Sequence, residues 1–279
     1  MSQISQEAAE KILGSISIPP RPSILTELMD ERKKSDPDMM KIARIISKDV
    51  VLSAAMLKTV NSPFFALRRK IDSIDQAVMT MGSSNVFNIM TGLVLRNLNE
   101  NKNPQLNQFW EAAENTAFIA AMLAKRIPGI SSDVAYTAGL FHDCAIPLMM
   151  SRFPDYQETI KLSNAKNAKS FTQIEDERHS TNHAIIGYLL AKNWNLSETI
   201  ALTILHHHDL DVFSSQETLP TEVYSLIAVL QIAESVSDSG LMRENAIWKS
   251  NAQMLLDYVG MSEQELGEIT DEFLQQHAT

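Results

Sequence analysis

Six of the seven histidines in this 279-residue chain lie between His142 and His208, and several sit where they could do chemistry. His142 is followed by Asp143 after an apolar segment, His183 precedes a short apolar run, and His207 and His208 end a histidine triplet. Imidazole nitrogens combined with carboxylate oxygens form the mixed donor set that divalent transition metals accept. A metal ion held there would lower the pKa of its bound water and supply hydroxide for phosphoester cleavage. The pattern therefore indicates a candidate metal site.

The same histidines also have a purely structural interpretation. Histidine favours helix C-termini because of the helix dipole, which would account for the triplet without any metal. Consecutive helical residues point about 100° apart, so His207 and His208 can share one ion only at a frayed helix end, or one binds while the other supports it. Cys144 follows Asp143, so thiolate ligation is conceivable, although a lone cysteine in an apolar run is normally a small buried hydrophobe.

Helices must position these side chains. The chain has only 9 glycines, no Asn-Gly or Asp-Gly hairpin signal, and long segments with apolar residues three and four apart, which predicts an all-α fold. We expect Asp36 to cap a helix that starts at Pro37, a helix break at Gly82, and a loop over residues 164–176. In the second half, helices are predicted at about 109–126, 131–140, 146–163, 181–193, 197–207, 220–238, 243–259 and 262–276.

Composition excludes several classes of protein. With 44% hydrophobic and 21% charged residues, the chain is neither disordered, collagenous nor a coiled coil. A single cysteine cannot form an internal disulfide, and residues 1–20 lack the layout of a signal peptide, so we expect a cytoplasmic protein. No membrane association is expected, because no apolar run reaches the ~20 residues of a membrane helix.

Charge is distributed unevenly along the chain. The net charge is −10, yet residues 1–102 carry 14 basic and 11 acidic side chains, whereas residues 209–279 carry 13 acidic and 2 basic ones. Acidic surfaces repel phosphate backbones, so broad nucleic-acid binding is not expected. The basic segment Arg68–Lys70 remains open as a contact for phosphate or an acidic partner, although three basic residues in a loop usually form a solvated face.

A set of short motifs occurs in a characteristic order along the chain. They are Ile18–Pro22, Ile42–Asp49, Val60–Phe65, Ile74–Val78, Met81-Gly82, Trp110, Ala138–Asp143, His183–Gly187, Trp194 and His207-His208. From residue 18 to about residue 234, these motifs give a chain that resembles the HDOD domain. This domain is the output-type relative of the HD and HD-GYP metal-dependent phosphohydrolases.

The resemblance also exposes departures from the HD pattern. The first metal histidine would fall at Ala112, which has no ligand atom, and the final aspartate at Glu234. The basic residue expected after the His-Asp pair would fall near Ile146, and the glycine-tyrosine-proline signature is absent after His208. The resemblance thus implies metal ligation by His142, Asp143, His183, His207, His208 and Glu234. It implies a divalent metal (iron, manganese, nickel or magnesium) that is bound weakly or not at all.

The resemblance further implies two helical subdomains. We expect an N-terminal helical bundle at residues 16–100, an HD-like bundle with a degenerate metal site at 105–240, and C-terminal helices at 241–279 packed on the second bundle. The leading hypothesis is a non-enzymatic signal-transduction module, a bacterial-type regulator that contacts signalling proteins and takes a nucleotide or phosphate ligand in its pocket. The alternatives are a metal-dependent phosphohydrolase or cyclic-nucleotide phosphodiesterase using His142 and Asp143, and a nucleotide receptor that binds phosphates without cleaving them. Only the hydrolase predicts turnover.

Overall fold

The chain folds into α-helices. In a computed structural model, the described residues are 19–62, 65, 67, 69–98, 104–163, 169–214, 218–237 and 246–277. Over these ranges the structure contains α-helices, one short 3-10 helix and no β-strand, which confirms the predicted all-α fold. Pro63, Phe64 and Arg68, which belong to the motifs above, lie outside the described residues.

Residue contacts divide the chain into two compact units. The first comprises residues 21–101 and 267–279, and the second comprises residues 1–20 and 102–266. By this division the residues from 267 onward belong to the first unit. The subdomain boundaries expected from the sequence, at 16–100, 105–240 and 241–279, stay a prediction.

In the first unit, the described helices before residue 101 pack around a shared apolar core. They are α1 (Ser23–Arg32), α2 (Met39–Ser47), α3 (Val50–Val60) and α4 (Ile74–Leu98). Leu25, Ile42, Ile46 and Met56 are almost completely buried there, and burying one such side chain stabilises the fold by about 1.5–3 kcal/mol. The expected break at Gly82 is present, since this residue has φ 76° and ψ 163° inside α4.

The start of α2 differs from the sequence-based expectation. Asp38, not Asp36, is the N-cap, and its carboxylate accepts a hydrogen bond from the Lys41 backbone N–H at 2.9 Å. The backbone N–H of Asp38 itself donates to the buried Glu31 carboxylate at 3.2 Å. This contact holds the loop in place up to Asp38, so the helix begins two residues later than predicted.

Glu31 is a buried charge at the junction of α1 and α2. Its side chain is 1% exposed and lies 2.7 Å from Lys34 Nζ and 2.9 Å from Lys41 Nζ. Hydrogen bonds from Lys34 and Lys41 lower the pKa of this carboxyl from 4.5 to about 2. Glu31 is therefore ionised in the folded protein at neutral pH, and its charge stabilises the capped loop.

Replacing Glu31 with glutamine is expected to reduce the acid sensitivity of the fold. Because the pKa is lowered on folding, the ion pairs stabilise the native state above about pH 4.5, and this contribution is lost as the pH falls towards 2. Urea unfolding of both proteins from about pH 6 down to about pH 3 should show a stability difference that shrinks with acidification. Glu27→Gln, which removes an exposed pair with Lys48, is the control and should change little. A difference between wild type and Glu31→Gln that is independent of pH would contradict the prediction.

Asn61, in the motif that follows α3, has a structural role. Its side-chain amide donates to the Leu57 and Ile71 carbonyls, both at 2.8 Å, and its Oδ1 accepts from the Ile71 backbone N–H at 2.8 Å. The amide thus satisfies both backbone groups of Ile71, as a neighbouring strand would. This contact fixes the two ends of the connection between α3 and α4.

Among the described residues, one helix is long and apolar enough to cross a membrane by length and composition alone, namely Ile74–Asn97 with 24 residues. No run of this kind was expected from the sequence. Half of the apolar window is buried inside the protein, and Gly82 interrupts the helix. A core helix of a folded protein passes the same test, and α4 packs on α1, α2 and α3 of the first unit.

The second unit contains a longer series of helices. They are α5 (Pro104–Ala124), α6 (Ser132–Phe141), α7 (Ile146–Arg152), α8 (Tyr156–Ser163), α9 (Phe171–His179), α10 (His183–Asn193), α11 (Glu198–His206), the 3-10 helix Leu210–Phe213, α12 (Thr221–Val236) and α13 (Ala246–Val259). A last helix, α14, spans Glu263–His277. Helix α5 packs on α6 and α12, α10 packs on α11, and α12 packs on α13. The Trp194 indole N–H donates to the Pro19 carbonyl at 3.0 Å, which joins the end of α10 to the start of the described chain.

Two sequence-based expectations in this unit were wrong. The helix predicted at 146–163 is two helices, because Pro154 forces Phe153 out of helical geometry, to φ −113° and ψ 107°. The loop predicted at 164–176 ends early, because α9 begins at Phe171. Ser170 and Gln173 form a capping box, in which each side chain hydrogen-bonds the other residue's backbone N–H.

Candidate metal centre

Four helix ends meet around the histidines of the second unit. His142 and Asp143 directly follow α6, and His183 is the first residue of α10. His207 follows the last residue of α11, and Glu234 lies in the last turn of α12. The candidate site is therefore formed by the ends of α6, α10, α11 and α12.

The Asp143 carboxylate is the centre of the cluster. Its Oδ1 lies 3.1 Å from His183 Nε2 and 3.3 Å from His207 Nε2, and its Oδ2 lies 3.4 Å from His142 Nε2. The two imidazole nitrogens of His183 and His207 are themselves 3.4 Å apart. Three Nε2 atoms from three helix ends therefore converge on one carboxylate.

Glu234 and His208 complete the set. Glu234 Oε1 lies 3.2 Å from His142 Nε2. The His208 ring lies 4.0 Å from the His207 ring between centroids, at a tilt of 41°. A nitrogen of His208 lies within 4.8 Å of the ligand atoms of Asp143, His183 and His207. Two potential ligand groups result, one with His183, His207 and His208 and one with His142 and Glu234, and Asp143 belongs to both. The structure thus brings together all six predicted residues, and their role as metal ligands stays a prediction.

The opposite nitrogen of each converging ring has a hydrogen-bond acceptor. His142 Nδ1 donates to the Gly139 carbonyl and His207 Nδ1 donates to the Ile204 carbonyl, both at 2.7 Å. His183 Nδ1 donates to the Glu175 carboxylate at 2.6 Å. Because carbonyl and carboxylate oxygens only accept, each Nδ1 carries a proton, so the Nε2 presents a lone pair to the cluster whenever the ring is neutral.

The spacing of these atoms suits a metal ion. Ligands at about 2.1 Å from an ion stand about 3.0–3.4 Å from one another in octahedral or tetrahedral geometry. The Asp143 carboxylate oxygens lie 3.1–3.4 Å from the three Nε2 atoms, and the Nε2 atoms of His183 and His207 lie 3.4 Å apart, which matches that range. The donor set of the described residues therefore fits a divalent transition metal.

Without a metal, the carboxylates of the cluster favour the protonated form of two histidines. Burial lowers the pKa of His142, but Asp143 and Glu234 outweigh it and raise the value to about 10. Burial also lowers the pKa of His183, which Glu175 and Asp143 raise to about 9. The pKa values of the Asp143 and Glu234 carboxyls are lowered because their contacts with histidine outweigh burial. One divalent cation with two neutral rings carries the same charge as these two imidazolium groups, so metal binding leaves the buried charge unchanged.

Some residues around the site could not be found from the motifs. Glu175 is fully buried and contacts His183, yet it fell in the segment predicted as a loop. Gln231 is 1% exposed and donates to the His207 carbonyl at 3.0 Å and to Glu234 at 2.9 Å. The capping-box pattern Ser170-x-x-Gln173 was the available signal for α9 and hence for Glu175.

Neither Cys144 nor Ala112 contributes a ligand atom to the cluster. Cys144 is fully buried, burial raises the pKa of its thiol, and it does not belong to the converging groups among the described residues. Its sulfur packs close to Gly187, so it is the small buried hydrophobe expected of a lone cysteine. Ala112 is half-buried on α5 and has no donor atom.

Comparison with solved structures places this fold among known proteins. An HDOD domain protein of unknown function from Geobacter sulfurreducens aligns with a TM-score of 0.72 and 22% identity, covering 97% of this chain and 93% of that one. A candidate phosphohydrolase from Shewanella amazonensis SB2B aligns with a TM-score of 0.73 and 22% identity, covering 99% and 96%. A candidate signal-transduction protein from Marinobacter aquaeolei VT8 aligns with a TM-score of 0.67 and 20% identity, covering all of this chain and 60% of that one. These proteins share the fold.

Sequence relatives are longer than the region they share with this chain. An uncharacterized protein of Treponema pallidum (strain Nichols) is 29% identical over 214 residues, which is 74% of this chain and 41% of the relative. The uncharacterized protein YuxH of Bacillus subtilis (strain 168) is 27% identical over 100 residues, which is 36% of this chain and 24% of the relative. The HDOD domain model matches residues 18–210, a span that includes most of the helix ends around Asp143. With more than half of its length matched, the chain belongs to the HDOD domain family.

Proposed function

We propose that this chain is a non-enzymatic signal-transduction module whose second unit binds a divalent metal ion and acts through contacts with other signalling proteins. The observation that carries the metal part is the convergence of three imidazole Nε2 atoms on the Asp143 carboxylate, each ring held at Nδ1 by an acceptor. His142, Asp143, His183, His207, His208 and Glu234 would supply the ligands, in the two groups that share Asp143. The family and the fold are consistent with a signalling role.

Two departures argue against hydrolysis. The position at which the HD pattern has its first metal histidine is Ala112, and the basic residue that follows the His-Asp pair in HD-GYP enzymes would fall near Ile146, which is apolar and 6% exposed. A site that lacks one ligand and a basic group would not place a nucleophile and a phosphate accurately. Misplacement by about 1 Å lowers catalytic rates about a hundredfold.

A ligand would reach the site from its carboxylate side. His183 and His207 are completely buried, whereas the Asp143 and Glu234 side chains are 14% and 17% exposed. A bound divalent ion would supply positive charge for an anionic ligand there, while the buried rings exclude water and keep the donors in place. We therefore include a nucleotide or phosphate ligand in the proposal, with iron, manganese, nickel or magnesium as the ion and the cytoplasm as the location.

Metal analysis combined with a turnover assay tests this proposal. Purified protein is loaded with manganese, iron or nickel, desalted and analysed for metal, and then assayed with phosphomonoesters, phosphodiesters and cyclic dinucleotides. We expect at least about one ion per chain. We also expect the hydrolysis rate of the wild type to be no higher than that of His142→Ala. Metal-dependent turnover that His142→Ala abolishes would instead establish the phosphohydrolase alternative. Protein that takes up no metal would refute the metal part of the proposal.

A further inference from the structure

Glu175 is a buried acid that stands outside the ligand set. It lies on α9, is fully buried, and its Oε2 accepts the Nδ1 proton of His183 at 2.6 Å. Both of its oxygens also lie 3.3 Å from the His183 backbone N–H. The Tyr156 hydroxyl donates a hydrogen bond to its Oε1. Burying an acid is costly without such partners, so this carboxylate has a specific environment built around it.

The position of Glu175 on the ring is significant. It binds His183 at Nδ1, whereas the Asp143 carboxylate lies at Nε2, on the other side of the same imidazole. Glu175 can therefore act on the site only through His183. The Phe171 ring lies 5.1 Å from the His183 ring at a tilt of 30°, which restricts rotation of the imidazole.

The three converging histidines are not equivalent. His142 and His207 donate from Nδ1 to backbone carbonyls, which are neutral acceptors, and only His183 donates to a carboxylate. A carboxylate at Nδ1 fixes the tautomer and the ring orientation and makes the opposite nitrogen a stronger donor. His183 is thus expected to be the strongest nitrogen donor of the three.

We infer that Glu175, held in place by Tyr156, is a positioning residue that tunes the metal affinity of the site through His183. This inference rests on the proposed metal binding. Tyr156 is fully buried on α8 and occupies Oε1 of Glu175, which leaves Oε2 directed at His183. Together, Glu175 and Tyr156 would make His183 a stronger donor. This would offset part of the metal affinity that is lost because Ala112 provides no ligand.

Cobalt binding to matched variants tests this role. Co²⁺ is titrated into metal-free wild type, Glu175→Gln, Tyr156→Phe and Glu177→Gln, and affinity and the visible absorption spectrum are recorded. Glu175→Gln keeps the shape and removes the charge, so affinity should fall about 10- to 100-fold and the cobalt bands should shift. Tyr156→Phe removes one hydrogen bond to the carboxylate and should weaken binding by about fivefold. Glu177→Gln is the control on the same helix, because Glu177 forms an exposed pair with Lys169.

The outcomes separate the inference from the proposed function. Wild-type affinity and spectrum in Glu175→Gln, in protein that binds cobalt, would overturn the positioning role and leave the metal site intact. Absence of cobalt binding in the wild type would overturn both. Circular dichroism and thermal unfolding of the metal-free variants check folding, and if Glu175→Gln unfolds, Tyr156→Phe decides the question, since a wild-type affinity and spectrum there would overturn the role.

Discussion

Replacing Asp143 with asparagine should abolish tight metal binding. Its carboxylate is the one group shared by both potential ligand groups, with oxygens 3.1–3.4 Å from the Nε2 atoms of His142, His183 and His207. An asparagine has the same shape but one neutral oxygen in place of two charged ones. Loss of a group that supports a ligand lowers metal affinity 10- to 100-fold, so loss of this carboxylate should exceed about 100-fold.

Thermal unfolding with and without metal measures this effect. Metal at about 100 times Kd should stabilise the wild type by about 2.7 kcal/mol, and at the same concentration Asp143→Asn should gain less than about 0.5 kcal/mol. For a unit of this size the wild-type gain corresponds to a rise in Tm of about 5–10 °C. Asp155→Asn, which alters an exposed ion pair with Arg178, is the matched control and should respond like the wild type. Equal stabilisation of Asp143→Asn and wild type by metal would show that the ion binds elsewhere.

Gly139→Ala should destabilise the second unit strongly. A Cβ atom at this position would lie 2.6 Å from the Ala117 Cα and 2.9 Å from the Ala117 nitrogen. Both are backbone atoms of α5, so no side-chain rotation can relieve the clash and α5 and α6 would have to move apart. Overpacking of this kind costs about 3 kcal/mol or more. The Gly139 carbonyl also accepts the Nδ1 proton of His142, so metal affinity should fall as well.

Chemical denaturation measures the change in the free energy of unfolding of Gly139→Ala, and two other glycines provide the comparison. Gly187→Ala would meet Ile204 Cγ2 at 2.8 Å, which is a side-chain atom that can shift, so a smaller loss of about 1–2 kcal/mol is expected. Gly267→Ala, in α14, meets no heavy atom within 4 Å and should gain up to about 1 kcal/mol from helix propensity. Equal losses of stability in Gly139→Ala and Gly187→Ala would contradict the prediction, because they would show that the close backbone contact of α5 and α6 has no special cost.

Local signals in the sequence were sufficient to predict most of the helices. Gly82 broke α4 as expected, because a glycine readily adopts the positive φ that the break requires. Errors occurred where one local signal was passed over. Pro154 separates α7 from α8, and Ser170 with Gln173 starts α9, and both follow ordinary rules for proline and capping boxes. The Asp38 cap is different, because it depends on Glu31, seven residues earlier in the chain.

The sequence pointed to the potential ligands of the candidate site but not to the residues that support them. The resemblance to the HDOD domain implied His142, Asp143, His183, His207, His208 and Glu234, and the structure places them in two groups that share Asp143. Glu175 and Gln231 were missed, because local signals such as the capping box place a residue on a helix but do not show which acidic or amide side chain will contact the site. Their roles follow from where α9 and α12 pack.

The sequence by itself determined the helical elements, the family and the chemical types of the potential ligands, because these depend on residues close together in the chain. Only the tertiary structure decided that Asp143 and His207, 64 residues apart, lie 3.3 Å from each other. It also decided which acceptor each Nδ1 meets, a backbone carbonyl for His142 and His207 and a carboxylate for His183. Those contacts come from the packing of whole helices, which is set by the summed burial of many apolar side chains rather than by any single motif.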